Sequence, residues 1–271
     1  MDRSNFISIR QLFRPKSLII EGLGFGKLPY EKSKKDIRFA NIVRTPVPSI
    51  PEFYDTSSIL TPYVDNRMFG NDTWGDCVLA ERAHQTLVFE RFEQGKILTI
   101  SDNIVLNEYW KEGGASVLNP HPDRGLSMRD SLNAWRKNGW VIDGKRYTIY
   151  AHALVNQLGH LEVKACVYLL GGADIGIQIP WSAIKQFKAG KPWDVVNNDG
   201  GIVAGHCIYI TGYCPSCLFC MTWGKQQAMT WKFLDKYCDE FRGVVDNRNL
   251  WMKDSPVDVK KLNEYLKMVT A

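Results

Sequence analysis

The chain has 271 residues, 45% hydrophobic and 23% charged, with a formal net charge of +5 at pH 7. That length and apolar content give a globular chain of one large domain or two lobes with a sizeable core. The charge is too mild and too scattered for nucleic acid, no apolar run approaches the roughly 18 residues of a membrane helix, and the opening MDRSNFISIRQLFRPKSLII lacks the continuous apolar stretch of a secretory signal.

Residues 1–49 read as an N-terminal extension: basic, proline-bearing and weakly periodic. Within them Lys32-Ser33-Lys34-Lys35 reads as a solvated loop. The segment TPVPSIP (45–51) reads as extended linker, because each X-Pro step disfavours helix. The compact body is expected at 50–271. From Cys77 the pattern is helical, with Asp76 as N-cap, Ala80, Ala83, His84, Leu87 and Val88 at helical spacing, and Gln94-Gly95 as the stop. Ser127 to Asp130 resembles a capping box and opens a second helix that stops at Asn138-Gly139. A third runs from about Leu161 to Leu170.

Strands gather after that point. Ile175, Ile177 and Ile179 alternate with Gly176 and Gln178. The run HCIYITGY begins at His206, and LFCMTWG (218–224) returns as its hairpin partner across Cys214-Pro-Ser-Cys217. A helix is expected from Thr230 to about Phe241, then the strand RGVVD. A last helix is expected from Ser255-Pro256, which offer an N-cap and a proline at N1. Helices dominate the first half and strands the second, which makes the fold α+β.

Within GNDTWGDCVLAERAHQT (70–86), Cys77 stands at the junction of a glycine-bearing turn and a helix. A thiol is a good nucleophile only as thiolate, and a helix N-terminus and a nearby imidazolium both favour that form. Gly75 lets a substrate backbone approach closely. Asp76 opposes thiolate formation unless its carboxylate is committed to capping. On spacing alone, a small buried thiol competes with a nucleophile for this position. Of the five histidines, His84 faces the core along the cysteine helix, His121 lies in a loop between prolines, and His152 and His160 flank a loop. His206 follows Gly205 at a strand entrance, placed to present an imidazole to a cleft.

Taken in order, these stretches resemble the papain-like cysteine peptidases. IPEFYD (50–55) looks like the family's mature start and LTPYVDN (60–66) like its approach to the active-site loop. NDTWGDC (71–77) resembles Gln-x-x-x-Gly-x-Cys, Gly113-Gly114 the substrate-pairing double glycine, GHCIYITGY (205–213) the His-Ala-Val-x-x-x-Gly-Tyr pattern, and TWG (222–224) the Asn-Ser-Trp-Gly block. The Gly-Asn-Asp, Gly-Asp-Cys and Thr-Trp-Gly elements are similar to a divergent branch found in bacteria and their phages.

The resemblance implies a two-lobed papain-like fold. A helical lobe (about 50–145) carries the cysteine, a β-rich, barrel-like lobe (about 146–250) carries the histidine, and a C-terminal helix spans about 255–269. It implies Cys77 as nucleophile, His206 as base, and Asn71, with the Cys77 N–H, as oxyanion donors. Trp223 would shield the histidine, and Gly75, Gly113, Gly114 and Gly205 would line the substrate backbone. The expected histidine-orienting Asn is replaced by Met221-Thr222, so Thr222 is the candidate orienter, provided the hairpin shifts by one residue. The first fifty residues are shorter than the family's usual inhibitory propeptide.

The reaction implied is hydrolysis of a peptide or amide bond through an acyl-thioester, on a peptide or protein substrate, with no cofactor. An inactive virion or host-interaction protein, or an amidase, transglutaminase or deconjugating enzyme, are the alternatives; the compartment would be cytoplasm or virion. Seven cysteines without a signal suggest free thiols. Cys214, Cys217 and Cys220 have zinc-type spacing but no second ligand pair. They are expected as free thiols by a β-turn, with a Cys214–Cys217 disulfide as the oxidised alternative. Cys166 and Cys238 fall in helical patterns as core.

Overall fold

A computed structural model of the chain describes residues 18–47, 49–64, 66–95, 98–114, 123–247 and 255–270. His121 lies outside them. In chain order the elements are β1 (Leu18–Ile20), β2 (Leu23–Phe25), α1 (Phe39–Ile42), β3 (Tyr54–Asp55), α2 (Ser57–Val64), α3 (Cys77–Gln94), α4 (Asp102–Lys111) and α5 (Met128–Asn138). Then come β4 (Trp140–Ile142), β5 (Lys145–Tyr147), β6 (Ala151–Leu154), α6 (His160–Leu170), β7 (Ala173–Pro180), α7 (Trp181–Lys188) and β8 (Ile202–Tyr213). The chain continues through β9 (Cys217–Thr222), β10 (Lys225–Thr230), α8 (Trp231–Tyr237), β11 (Cys238–Val245) and α9 (Val259–Thr270).

The principal sheet has seven strands in the order β10-β9-β8-β7-β11-β6, with β3 added against β8. It is antiparallel, and it stays open rather than closing into the barrel-like form expected. Strand β8 separates two cores. Ile208 and Ile210 belong to one, Cys207 and Tyr209 to the other, where α3, α4 and α5 pack. This follows from the two-residue period of a strand buried on both faces. The same parity operates in β9, where Cys220 joins the first core and Met221 the second.

Several expectations hold. Helix α3 starts at Cys77 and stops at Gly95 in the left-handed conformation; α5 is capped by Ser127, whose side chain accepts from the Asp130 N–H. Others are corrected. The helix expected over 230–241 ends at Tyr237, and Cys238 opens a strand instead, because β11 completes the sheet between β7 and β6. The last helix begins at Val259, not at Ser255-Pro256; Asp258 Oδ1 accepts from the Lys261 N–H at 3.1 Å. Cys214 and Cys217 are joined by a disulfide across the β8–β9 turn rather than free. The turn brings them together: the Cys214 N–H donates to Cys217 O at 2.7 Å, and their Cα atoms lie 5.1 Å apart. His152 in β6 and His160 at the start of α6 flank the connection between them, as expected.

The extension does not stand apart from the body. Phe25, Ile37, Phe39 and Ile42 are buried in the first core with residues of β7, β8 and β11. Burying a large apolar side chain contributes about 1.5–3 kcal/mol, so these four residues fix the extension on the domain.

Candidate active site

Helix α3 presents Cys77 at its first turn, 1% exposed. Asp76 holds the N-cap position, but its side chain makes no capping bond. It is instead fully buried, which raises its carboxyl well above the usual carboxylate range, with the Asn71 amide pulling the other way. Asp76 nonetheless adds to the rise of the Cys77 thiol through its charge.

His206 sits on β8, 1% exposed, and its ring is held on three sides. Nε2 lies 2.7 Å from Thr222 Oγ1. The Trp223 indole stacks flat on it, centroids 4.2 Å apart at 15°, and Phe25 meets it edge-on at 5.6 Å. Nδ1 is buried without a hydrogen-bond partner among the described residues. Thr222 reaches the imidazole because of strand parity: Met221 points into the helical core and Thr222 to the opposite face. Trp223 and Gly224 form the two-residue β9–β10 turn with φ of 45° and 70°. Positive φ at both centres is the hairpin geometry usually given to Asn-Gly. A tryptophan there is strained, and the strain aims its ring at His206.

Cys77, Asn71, His84, His206, Thr222 and Trp223 line one small cavity between the lobes. Asn71 Nδ2 donates to Trp74 O at 3.0 Å. Beneath the thiol, Glu81 of α3 and Asp174 of β7 are buried together. Burial raises both carboxyls.

A segment of the extension fills the cleft. The Lys27 N–H donates to Gly205 O at 3.3 Å on the β lobe, and the Leu28 N–H donates to Leu126 O at 2.9 Å. The Leu126 N–H donates to Gly26 O at 2.8 Å, and the Trp223 indole N–H to Gly24 O at 3.2 Å. The approach is close enough to require glycine: a Cβ on Gly26 would lie 1.7 Å from Gly75 O, and one on Gly205 2.2 Å from Lys27 O. Gly75 and Gly205 thus flank the strand. Gly113 and Gly114 do not. Gly114 is pressed on the Tyr109 ring, and Leu126 supplies the backbone ladder in its place, with Gly125 packed closely on Gly26 O. Asp123 holds that loop, accepting from Gly75 N–H at 2.8 Å and from the Tyr109 hydroxyl.

The strand sets the electrostatics. Burial pushes the Cys77 thiol up to about 11, against the pull of the backbone N–H groups of Cys207 and Gly26. Burial alone lowers His206 to about 3. In this closed form the pair is a thiol and a neutral imidazole. Leu23–Leu28 were not among the residues expected at the site, though GLGFGKL carries a signal: glycines alternating with single large side chains suit a strand pressed against another backbone.

No family model matches the chain, and no curated protein matches it. Solved structures do. Xylellain, a cysteine protease from Xylella fastidiosa, aligns with a TM-score of 0.64 at 16% identity, over 83% of this chain and 97% of that one. Procathepsin B S9 from Trypanosoma congolense aligns at 0.59 and 10%, over 83% and 87%. The cysteine protease CMS1MS2 from Carica candamarcensis aligns at 0.53 and 12%, over 73% and 100%. The chain has the papain-like cysteine protease fold.

Proposed function

We propose that the chain is a papain-like thiol peptidase held latent by its own residues 23–28. The observation that carries this reading is the strand itself. An extended backbone, hydrogen-bonded to Gly205 on one lobe and Leu126 on the other, lies across Cys77 and His206. A cleft that takes one extended peptide main chain this way suits another. The N–H groups of Gly26 and Lys27 bear on the sulfur.

With the strand displaced, Cys77 and His206 regain water. The imidazole then accepts the thiol proton through Nδ1, while Thr222 holds Nε2 and Trp223 shields that contact. The thiolate attacks the substrate carbonyl carbon. The oxyanion is met by the Cys77 N–H and the Asn71 amide, which must release Trp74 O to serve. Collapse breaks the C–N bond, the amine leaving with the proton from His206, and a thioester remains. Water, deprotonated by His206, attacks the thioester; a carboxylate departs and the thiol is restored.

The Gly70-Asn71-Asp72 and Thr222-Trp223-Gly224 blocks favour a divergent bacterial or phage branch of the fold. The test is cleavage of a fluorogenic peptide library by the full chain carrying Gly26→Val, which cannot seat the strand. Cleavage that disappears on adding Cys77→Ser or His206→Ala is expected. A strand-opened chain that cuts nothing would refute the peptidase reading.

A further inference from the structure

The strand in the cleft carries one charged side chain, and the wall it meets fits that charge. Lys27 is buried, with its side chain 0% exposed. Its Nζ donates to Asp239 Oδ1 at 2.7 Å and lies 3.6 Å from Glu240 Oε2. The two carboxylates are not equivalent. Glu240 is already held by Arg242, Nε to Oε1 at 2.6 Å, and Arg242 is shared with Asp36 at 2.9 Å. Asp239 has no other cation among the described residues. Gln178 Nε2 donates to its Oδ2 at 2.7 Å, which turns Oδ1 toward the slot.

The slot exists because position 176 has no side chain. A Cβ on Gly176 would lie 2.0 Å from Lys27 Cε. An ammonium can be enclosed in this way only where a carboxylate meets it. A neutral side chain in the same slot would leave Asp239, 25% exposed, without its cation, and an acidic one would add repulsion.

We propose that this slot is a specificity subsite for a lysine side chain of a peptide substrate, with Asp239 as the discriminating residue and Lys27 as its built-in occupant. The proposal rests on the peptidase reading for its purpose. The slot lies beside Cys77, since Lys27 both fills it and bears on the thiol. Substrates therefore carry lysine within a few residues of the cleaved bond. The charge that admits a substrate is the charge that seats the latent strand, so a lysine-bearing peptide competes directly with the extension.

Binding and cleavage are measured separately. The full chain carrying Gly26→Val and Cys77→Ser, its folding checked by thermal melting, is titrated into a fluorescein-labelled peptide of residues 22–30. The same titration is run with a peptide in which Gln replaces the lysine. Lys27→Gln serves as a second opening variant should Gly26→Val melt early. Tighter binding of the lysine peptide by roughly a hundredfold is expected, from the loss on truncating one partner of an enclosed charge pair. Asp239→Asn should erase that preference and Gly176→Val should abolish binding. Equal affinities, or no binding of the lysine peptide, would overturn the proposal. Library cleavage by the Cys77 form decides the other question. Cutting without a lysine preference sinks the subsite and leaves the peptidase; a lysine preference in binding without cutting keeps the slot and sinks the peptidase.

Discussion

The closed cleft has a measurable chemical consequence, and Gly26→Val exposes it. The added Cβ would sit 1.7 Å from a backbone oxygen, Gly75 O, so no side-chain rotation relieves the clash and the strand must leave the cleft. Its departure returns water to Cys77. In the closed form burial holds the thiol at about 11; at pH 8 only about one molecule in a thousand is then thiolate, against about one in four at the free-thiol value of about 8.5. Alkylation tracks the thiolate, so the opened chain should label at pH 8 about two hundred times faster than the wild type. The ratio should shrink toward unity as pH approaches the closed-form value. An ion pair with His206 would widen the gap at pH 6, and His206→Ala should remove that extra.

The assay is iodoacetamide labelling from pH 5 to 10, with mass spectrometry reading the Cys77 peptide. Cys166, Cys207, Cys220 and Cys238 are buried and free, and serve as internal controls that should label slowly in both proteins. If wild-type Cys77 labels as fast as a free thiol at pH 7, or if Gly26→Val leaves its rate unchanged, the strand does not govern the site and the argument from burial fails.

Thr222→Val keeps the shape but removes the partner of His206 Nε2. It should cost about 1–3 kcal/mol in urea unfolding and lower kcat of the opened chain more than it raises KM, with Thr222→Ser restoring both. His84 tests acid stability, since it is buried against Phe69 and burial lowers it to about 3. Its folded value lies below its unfolded one, so the unfolded chain takes up the proton first as pH falls. The stability His84 protects is present above about pH 6.5 and is lost toward pH 3, at up to about 1.4 kcal/mol per unit. Relative to the wild type, His84→Phe should therefore melt progressively higher as pH drops through that window; a constant difference would refute the assignment.

Local signals carried much of this structure. The helix stops at Gln94-Gly95 and Asn138-Gly139 were legible because glycine alone reaches the required backbone region cheaply. His206 was expected at a strand entrance but lies inside β8, which already begins at Ile202, whereas Cys77 was legible because it opens α3. The boundary at 237–238 was not. Trp231–Tyr237 and Cys238–Val245 join without a turn residue, and only the neighbouring strands β7 and β6 decide where helix gives way to sheet. Tertiary context overrides propensity there. The Thr222 contact depended on register, which a bulge between Ile210 and Gly212 shifts. The cleft strand was hidden for a different reason. Its partners Asn71, Gly75, Gly125, Leu126, Gly205 and Asp239 are scattered along the chain, and composition marks its neighbourhood only as a basic tail.

On the peptidase reading proposed above, latency and electrostatics are one property of the closed cleft. Phe25 covers the imidazole, Gly26 covers the sulfur and Lys27 neutralises Asp239, all within three consecutive residues. Each contact that holds the strand also removes a feature the reaction needs: a hydrated imidazole, an ionisable thiol, an unfilled acidic slot. Weakening any one of the three releases part of all of them, because the residues share a single short backbone. A mutation at Phe25 should raise Cys77 reactivity even though the ring faces the histidine rather than the sulfur. The strand has no means of leaving His206 while staying on Cys77, so the site opens as a unit.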